Sequence, residues 1–142
     1  MAIKLRVISD HYRELGEQRS RVFGVNGGTI GRSPDNDWVL PDPGRLVAHR
    51  VDAGQGHATV TLEVAATHIN FNGACHGGVI FTLADTAFGL ASNSHGMIAV
   101  GIDAHITYHV AAKLGDLLTA TAIELSRTRK IAVYRIDVTR AD

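Results

Sequence analysis

The chain has 142 residues, 45% of them hydrophobic, and 14 Lys and Arg offset 14 Asp and Glu to give a formal net charge of zero. That length has room for one ordinary domain, and balanced charge removes the general electrostatic case for nucleic-acid binding. No apolar run is long enough to span a bilayer and no charged-then-apolar leader is present, so the expectation is a cytoplasmic protein without a membrane anchor.

In chain order, residues 3–8 (IKLRVI) alternate apolar and polar side chains as a half-buried strand does. A polar stretch leads to a second extended run, RVFGV at 21–25, and Asn26-Gly27-Gly28 is a hairpin-type turn signal before TIGR at 29–32. Pro34-Asp35-Asn36-Asp37 forms a turn, Trp38-Val39-Leu40 a short strand, and Pro41-Asp42-Pro43-Gly44 breaks the chain. GHATVTLEV at 56–64 alternates, with Ala58, Val60, Leu62 and Val64 on one face.

The helix signal begins at Cys75-His76-Gly77-Gly78 and runs over residues 77–93, apolar on most of its circumference, as a helix surrounded by protein is. The residues that are not apolar, Thr82, Asp85, Thr86, Gly89 and Asn93, follow the i, i+3, i+4, i+7 spacing of one face. Residues 98–110 read as a long strand with Val100, Ile102, Ala104, Ile106 and Tyr108 on one face. Gly115-Asp116 turns, and 117–127 and 130–140 pair as a hairpin through Arg127-Thr128-Arg129. The expected architecture is α+β: an antiparallel sheet wrapped around one central helix.

A carboxylate in a buried helix is costly unless something uses it. Asp85 therefore either pairs or points into a solvated gap, or it does chemistry. The glycines at the helix N-terminus either only permit a tight turn or expose backbone N–H groups that hold a developing oxyanion. Gly77 and Asp85 lie about 12 Å apart on a straight helix, too far to meet at one carbonyl. Two antiparallel copies across a two-fold axis bring one copy's acid to the other's amide.

HGGVIFTLADTAFGLASNSHG, followed by AAKLGDLLTATA, resembles the HGG-to-LAD helix and the next strand of the PaaI-type hotdog thioesterases, from about Gly56 to the C-terminus. The resemblance implies a hotdog fold and hydrolysis of a small aryl- or acyl-CoA thioester. In it Asp85 is nucleophile or general base, Gly77 the oxyanion donor, Asn70 a residue placing the water or thioester, and His76 the residue orienting the turn. Gly78, Phe71 and Thr86 would contact substrate, and Phe71, Phe81 and Phe88 would set acyl specificity. Coenzyme A enters as part of the substrate; no separate cofactor is implied, and the assembly is a homodimer or homotetramer. Arg127, Arg129 and Lys130 either meet the CoA phosphates or form a solvated hairpin tip. Members of that family usually have a helix before the first strand and one more strand after the last. An N-terminal strand, from 3–8 or 21–25, filling the vacant edge would make one hybrid domain.

The first 44 residues differ in character. GGTIGRSPDNDWVLPDP resembles the opening of a forkhead-associated domain, in which the arginine of the G-R turn contacts phosphothreonine peptides. The resemblance carries Arg32 and Ser33 over as phosphopeptide ligands, one alternative function; the other is a non-catalytic hybrid that folds and assembles with the Asp85 site crippled by its altered termini. The expected division is a β-rich segment, 1–48, that is not an independent domain, and a thioesterase-like domain, 49–142.

No metal site is expected. His105 and His109 share a strand face without the geometry of a helical zinc motif. Cys75 has no disulfide partner and is either a reactive thiol beside the turn or a small buried packing residue.

Overall fold

A computed structural model describes residues 3–6, 20–23, 28–31, 34–39 and 50–141 of the chain. In order these form β1 (Ile3–Arg6), β2 (Ser20–Phe23), β3 (Gly28–Gly31), β4 (Trp38–Val39), β5 (Arg50–Gly54), β6 (His57–Glu63), a 3-10 turn (Ala66–His68), α1 (Gly77–Asn93), β7 (Leu117–Arg127) and β8 (Ala132–Arg140). One sheet has the order β4-β3-β5-β6-β7-β8, antiparallel except for the short β3–β4 pair, and β1 and β2 form a separate antiparallel pair. The expected helix, packed on an antiparallel sheet, is present.

The sheet's inner face is built from small residues, and this lets the helix come close. Ala58, Val60 and Leu62 of β6 stand opposite Ala122, Ala120 and Leu118 of β7. Leu83, Ala87 and Ala91 of α1 pack onto them, with Ala58, Ala87, Ala91, Ala120 and Ala122 fully buried. Alanine on alanine leaves no cavity to relax into, so added volume at these positions must displace the helix. Burying Leu83 contributes about 2 kcal/mol from apolar area alone.

The sequence expectation missed β5. RVDAG has one large apolar residue, Val51, and no visible alternation, yet it pairs with β6 over five positions and with β3 on its other side. The pairing is set by the turn between them, in which Gly56 has φ 74°, a conformation that favours glycine. Through β5 the N-terminal strands β3 and β4 join the sheet beside β6. The expected N-terminal strand from 3–8 or 21–25 does not fill the edge beside β8 among the described residues: β1 and β2 pair with each other.

Two further expectations need correction. Residues 98–110 form no strand: their backbone pairs with no ladder, and Ile98, Val100, Ile102 and Val110 are largely exposed. Extended sequence becomes a strand only beside a partner, and this stretch runs along the helix instead. It is tied by Ala99 N–H to Asn93 Oδ1 (3.0 Å) at one end and by Cys75 N–H to the Ala112 carbonyl (2.8 Å) beyond the other. The helix, too, is not enclosed all round. Gly78, Phe81, Thr82, Asp85, Thr86 and Asn93 are exposed, forming a crest opposite the face that meets the sheet.

Candidate active site

The helix N-terminus is prepared by the loop before it. His68 Nδ1 accepts from the Ala65 N–H (3.1 Å), Ile69 and Cys75 form an isolated antiparallel bridge, and His76 N–H donates to the His68 carbonyl (2.8 Å). Between them Asn70 organises a tight loop. Its Oδ1 accepts from the N–H groups of Asn72 (2.8 Å) and Ala74 (3.3 Å), while Gly73 turns at φ 76°. With the side-chain oxygen committed to backbone, the Asn70 amide nitrogen is the part left to act as a donor.

His76 is the N-cap, with extended backbone and a ring whose Nδ1 accepts from the Gly78 N–H at 3.0 Å. An accepting Nδ1 puts the proton of the neutral ring on Nε2. The His76 carbonyl accepts from Val79 (2.9 Å) and Ile80 (3.4 Å). Of the first-turn donors that a helix leaves open, the Gly77 N–H alone has no acceptor among the described residues. It borders a cleft of about 270 Å³ shared with Asn70, Cys75, Ile80, Tyr108 and His109. Asn70 and Gly77 are thus brought together, and His76 caps the turn that holds them.

Asp85 is elsewhere. It is exposed on the helix crest, two turns beyond Gly77, so the expectation of a carboxylate buried within one chain is not met. The reason is rotational. Gly77 and Ile80 face the first cleft, whereas Gly78, Thr82 and Thr86 face a second of about 510 Å³ with His68, His76 and residues of β6. Asp85 lines neither cleft. Thr82 and Thr86 donate to the Gly78 and Thr82 carbonyls (2.8 and 2.7 Å).

The remaining candidates separate. Phe71 is 98% exposed and lines neither cleft. Phe88 packs edge-on against Tyr134, ring centroids 5.5 Å apart, which makes it part of the sheet–helix contact. Arg127 is not a cation waiting at a hairpin tip. Its Nε donates to Glu124 Oε2 (2.9 Å) and its Nη2 to the Tyr134 hydroxyl (3.1 Å) and the Ser92 carbonyl (3.4 Å). A cation on a carbonyl near the helix C-terminus complements the dipole there. Arg129 and Lys130 remain exposed. Arg32 and Ser33 lie outside the described residues. Among the described residues no cluster of three metal-ligating side chains occurs, and no helix is long and apolar enough to cross a membrane.

Sequence reasoning missed Tyr108, whose hydroxyl donates to the Gly77 carbonyl at 3.0 Å. It also missed the Glu124 cluster. Neither has a local signal: Glu124 meets Tyr134 only through the β7–β8 register, and Tyr108 reaches Gly77 from 31 residues away.

The sequence profile described as the thioesterase superfamily matches residues 72–142. The chain is 40% identical to acyl-coenzyme A thioesterase PaaI of Escherichia coli over 62% of its own length and 63% of that protein. It is 33% identical to human acyl-coenzyme A thioesterase 13 over 63% and 65% respectively. It therefore spans less than two thirds of the length of these curated relatives. Among solved structures it resembles smu.793 of Streptococcus mutans bound to acetyl CoA, with a TM-score of 0.60 and 39% identity, covering 62% of this chain and 71% of that one.

Proposed function

Because this chain belongs to the thioesterase superfamily, we propose that it hydrolyses a small aryl- or acyl-CoA thioester in a site shared by two copies. The observation that carries the reading is the Gly77 N–H, without an acceptor among the described residues, beside Asn70 at the mouth of a cleft. Such a donor at the positive end of a helix lowers the energy of the oxyanion that forms when a thioester carbonyl is attacked. The partner copy's Asp85 supplies the other half, as nucleophile or as general base for water. Water adds to the acyl carbon, the carbon–sulfur bond breaks, and coenzyme A leaves as a thiol.

Sharing follows from the position of the acid. An exposed carboxylate on the crest of one helix reaches another molecule's first cleft more easily than its own. The apolar side chains of Phe81, Ile98, Val100 and Ile102, exposed on one chain, give a second copy surface to cover. A homodimer, or a homotetramer made of two such dimers, satisfies the requirement. Gly78, Thr86 and Phe71 would border substrate on assembly. Lys130 is the exposed cation for the CoA phosphates, while Arg127 is occupied by Glu124. No cofactor beyond the CoA of the substrate is required. The relatives named as acyl-CoA thioesterases and the acetyl CoA held by the similar structure support the same substrate class, and a cytoplasmic setting suits it.

The test is free-thiol release from a panel of CoA thioesters. Asp85→Ala and Asp85→Asn should each lower turnover by roughly 10²–10⁴-fold, and sedimentation should give a dimer or larger. Turnover that survives both substitutions, or an active monomer, rejects the reading.

A further inference from the structure

We propose that Tyr108 is a positioning residue that fixes the helix-terminal amide of Gly77. The inference rests on Gly77 being the oxyanion donor. Gly77 and Gly78 are consecutive glycines, so the backbone around them has more freedom than any other pair of residues would allow. An amide that must meet a developing charge loses its advantage if its peptide plane swings, because preorganisation is the source of the effect.

The structure removes that freedom from both sides. The Gly77 carbonyl and the Gly78 N–H belong to one planar peptide unit. Its oxygen accepts from the Tyr108 hydroxyl at 3.0 Å and its N–H donates to His76 Nδ1 at 3.0 Å, so this plane is held at both ends. The preceding plane, which carries the Gly77 N–H, is held by the His76 carbonyl, which accepts from Val79 and Ile80. With both planes held, the Cα of Gly77 cannot turn and its unpartnered N–H keeps one direction.

Tyr108 also packs closely over the Gly77 Cα. A Cβ added at Gly77 would lie 3.2 Å from Tyr108 Cζ and 3.3 Å from its hydroxyl oxygen, tighter than ordinary contact. The tyrosine tip fills the space that glycine leaves. Tyr108 is 51% exposed, so water can replace its hydroxyl without leaving a buried group unpaired. The effect of the bond is therefore on local orientation more than on global stability.

The test is Tyr108→Phe, which keeps the ring and deletes the donor. Amide hydrogen exchange at Gly78, whose N–H donates to His76 Nδ1, followed by NMR, should accelerate roughly three- to tenfold. In a CoA-thioester assay kcat should fall by a similar roughly three- to tenfold, with KM held within about twofold and an unchanged thermal midpoint. Tyr108→Ala, which also removes the ring, should go further on both readouts. Exchange and kcat both at parental values in Tyr108→Phe would overturn the proposal. Asp85→Asn run in parallel separates the two ideas. If it retains full turnover the hydrolase reading is lost, and the exchange rates alone then decide whether Tyr108 clamps the turn.

Discussion

His95 Nε2 and Glu124 Oε2 stand 2.8 Å apart, joining the turn after the helix to the middle of β7 across 29 residues of sequence. The same carboxylate oxygen accepts from Arg127 Nε and from the hydroxyl of Tyr134, its cross-strand partner. Gly56 sits against this group, and its N–H donates to Ser94 Oγ at 2.8 Å. Glu124 thus ties the turn after the helix and the β7–β8 hairpin through its carboxylate, and the β5–β6 turn through its backbone N–H, which donates to the Gly56 carbonyl at 2.8 Å.

A pH dependence follows from that arrangement. The Tyr134 hydroxyl first, then the Arg127 guanidinium, lower the Glu124 pKa from 4.5 to about 2. A carboxyl with a depressed folded value stabilises the fold above its unfolded value and loses that contribution as pH falls through the folded one. Stability due to Glu124 should therefore be complete above 4.5 and disappear on acidification toward about 2. Glu124→Gln should be less stable at neutral pH and should flatten the profile across that interval. Urea unfolding at a series of pH values would measure it; parallel profiles for both proteins would contradict it.

The Asp85 substitutions separate chemistry from folding. Asp85 is exposed and is not among the groups packed on the sheet, so Asp85→Asn should change unfolding free energy by no more than about 0.5 kcal/mol. The same variant should lose nearly all turnover. A large stability loss, measured by denaturant titration, would mean that the residue is structural.

Substitutions at Asn70 would separate its loop contacts from the proposed donor role. Its Oδ1 holds the N–H groups of Asn72 and Ala74, which Asp can do as well, whereas its amide donor is lost in Asn70→Asp. That variant should keep the parental thermal midpoint and lose turnover. Asn70→Ala should lose both, with a stability cost of about 1–2 kcal/mol from backbone donors left unmatched.

The helix–sheet contact predicts intolerance of volume. Ala87→Leu or Ala120→Leu should destabilise by about 1–3 kcal/mol or more, since both sites are fully buried against other alanines. Leu83→Ala should cost about 2–5 kcal/mol through the cavity it leaves. Denaturant midpoints would rank all three, and a neutral Ala120→Leu would show that the interface yields.

Cys75 should be slow to react. It is buried, and burial, with a smaller contribution from the charge of Asp116, pushes its thiol pKa up. Alkylation of the native protein at neutral pH should lag far behind that of the unfolded chain, because the thiolate is the reactive form. Fast labelling of the native state would mean that the turn before the helix opens readily.

How much of this was legible varies with the range of the interaction involved. The helix bounds, 77–93, follow from an apolar run that starts at paired glycines and ends before a turn, and the β7–β8 hairpin from the extended runs at 117–127 and 130–140, the second becoming a strand from Ala132. Those signals are local, and so is the association of Asn70, His76 and Gly77, which lie within one short loop. β5 was illegible because its strand character comes from neighbours on both sides and not from its own side chains. Residues 98–110 failed in the opposite sense: their alternation is as strong as any in the chain, but alternation cannot supply the partner that makes a strand.

By itself the amino-acid sequence determined the helix, its glycine start, its single carboxylate and the small residues of the sheet beneath it. Periodicity and steric size act within a few residues and can be read there. Only the tertiary structure decided that Asp85 rides an outer crest, that Arg127 is held by Glu124, and that Tyr108 lies on the Gly77 carbonyl. Each depends on strand register or on where a distant segment comes to rest, and those are fixed only when the whole chain finds its packing.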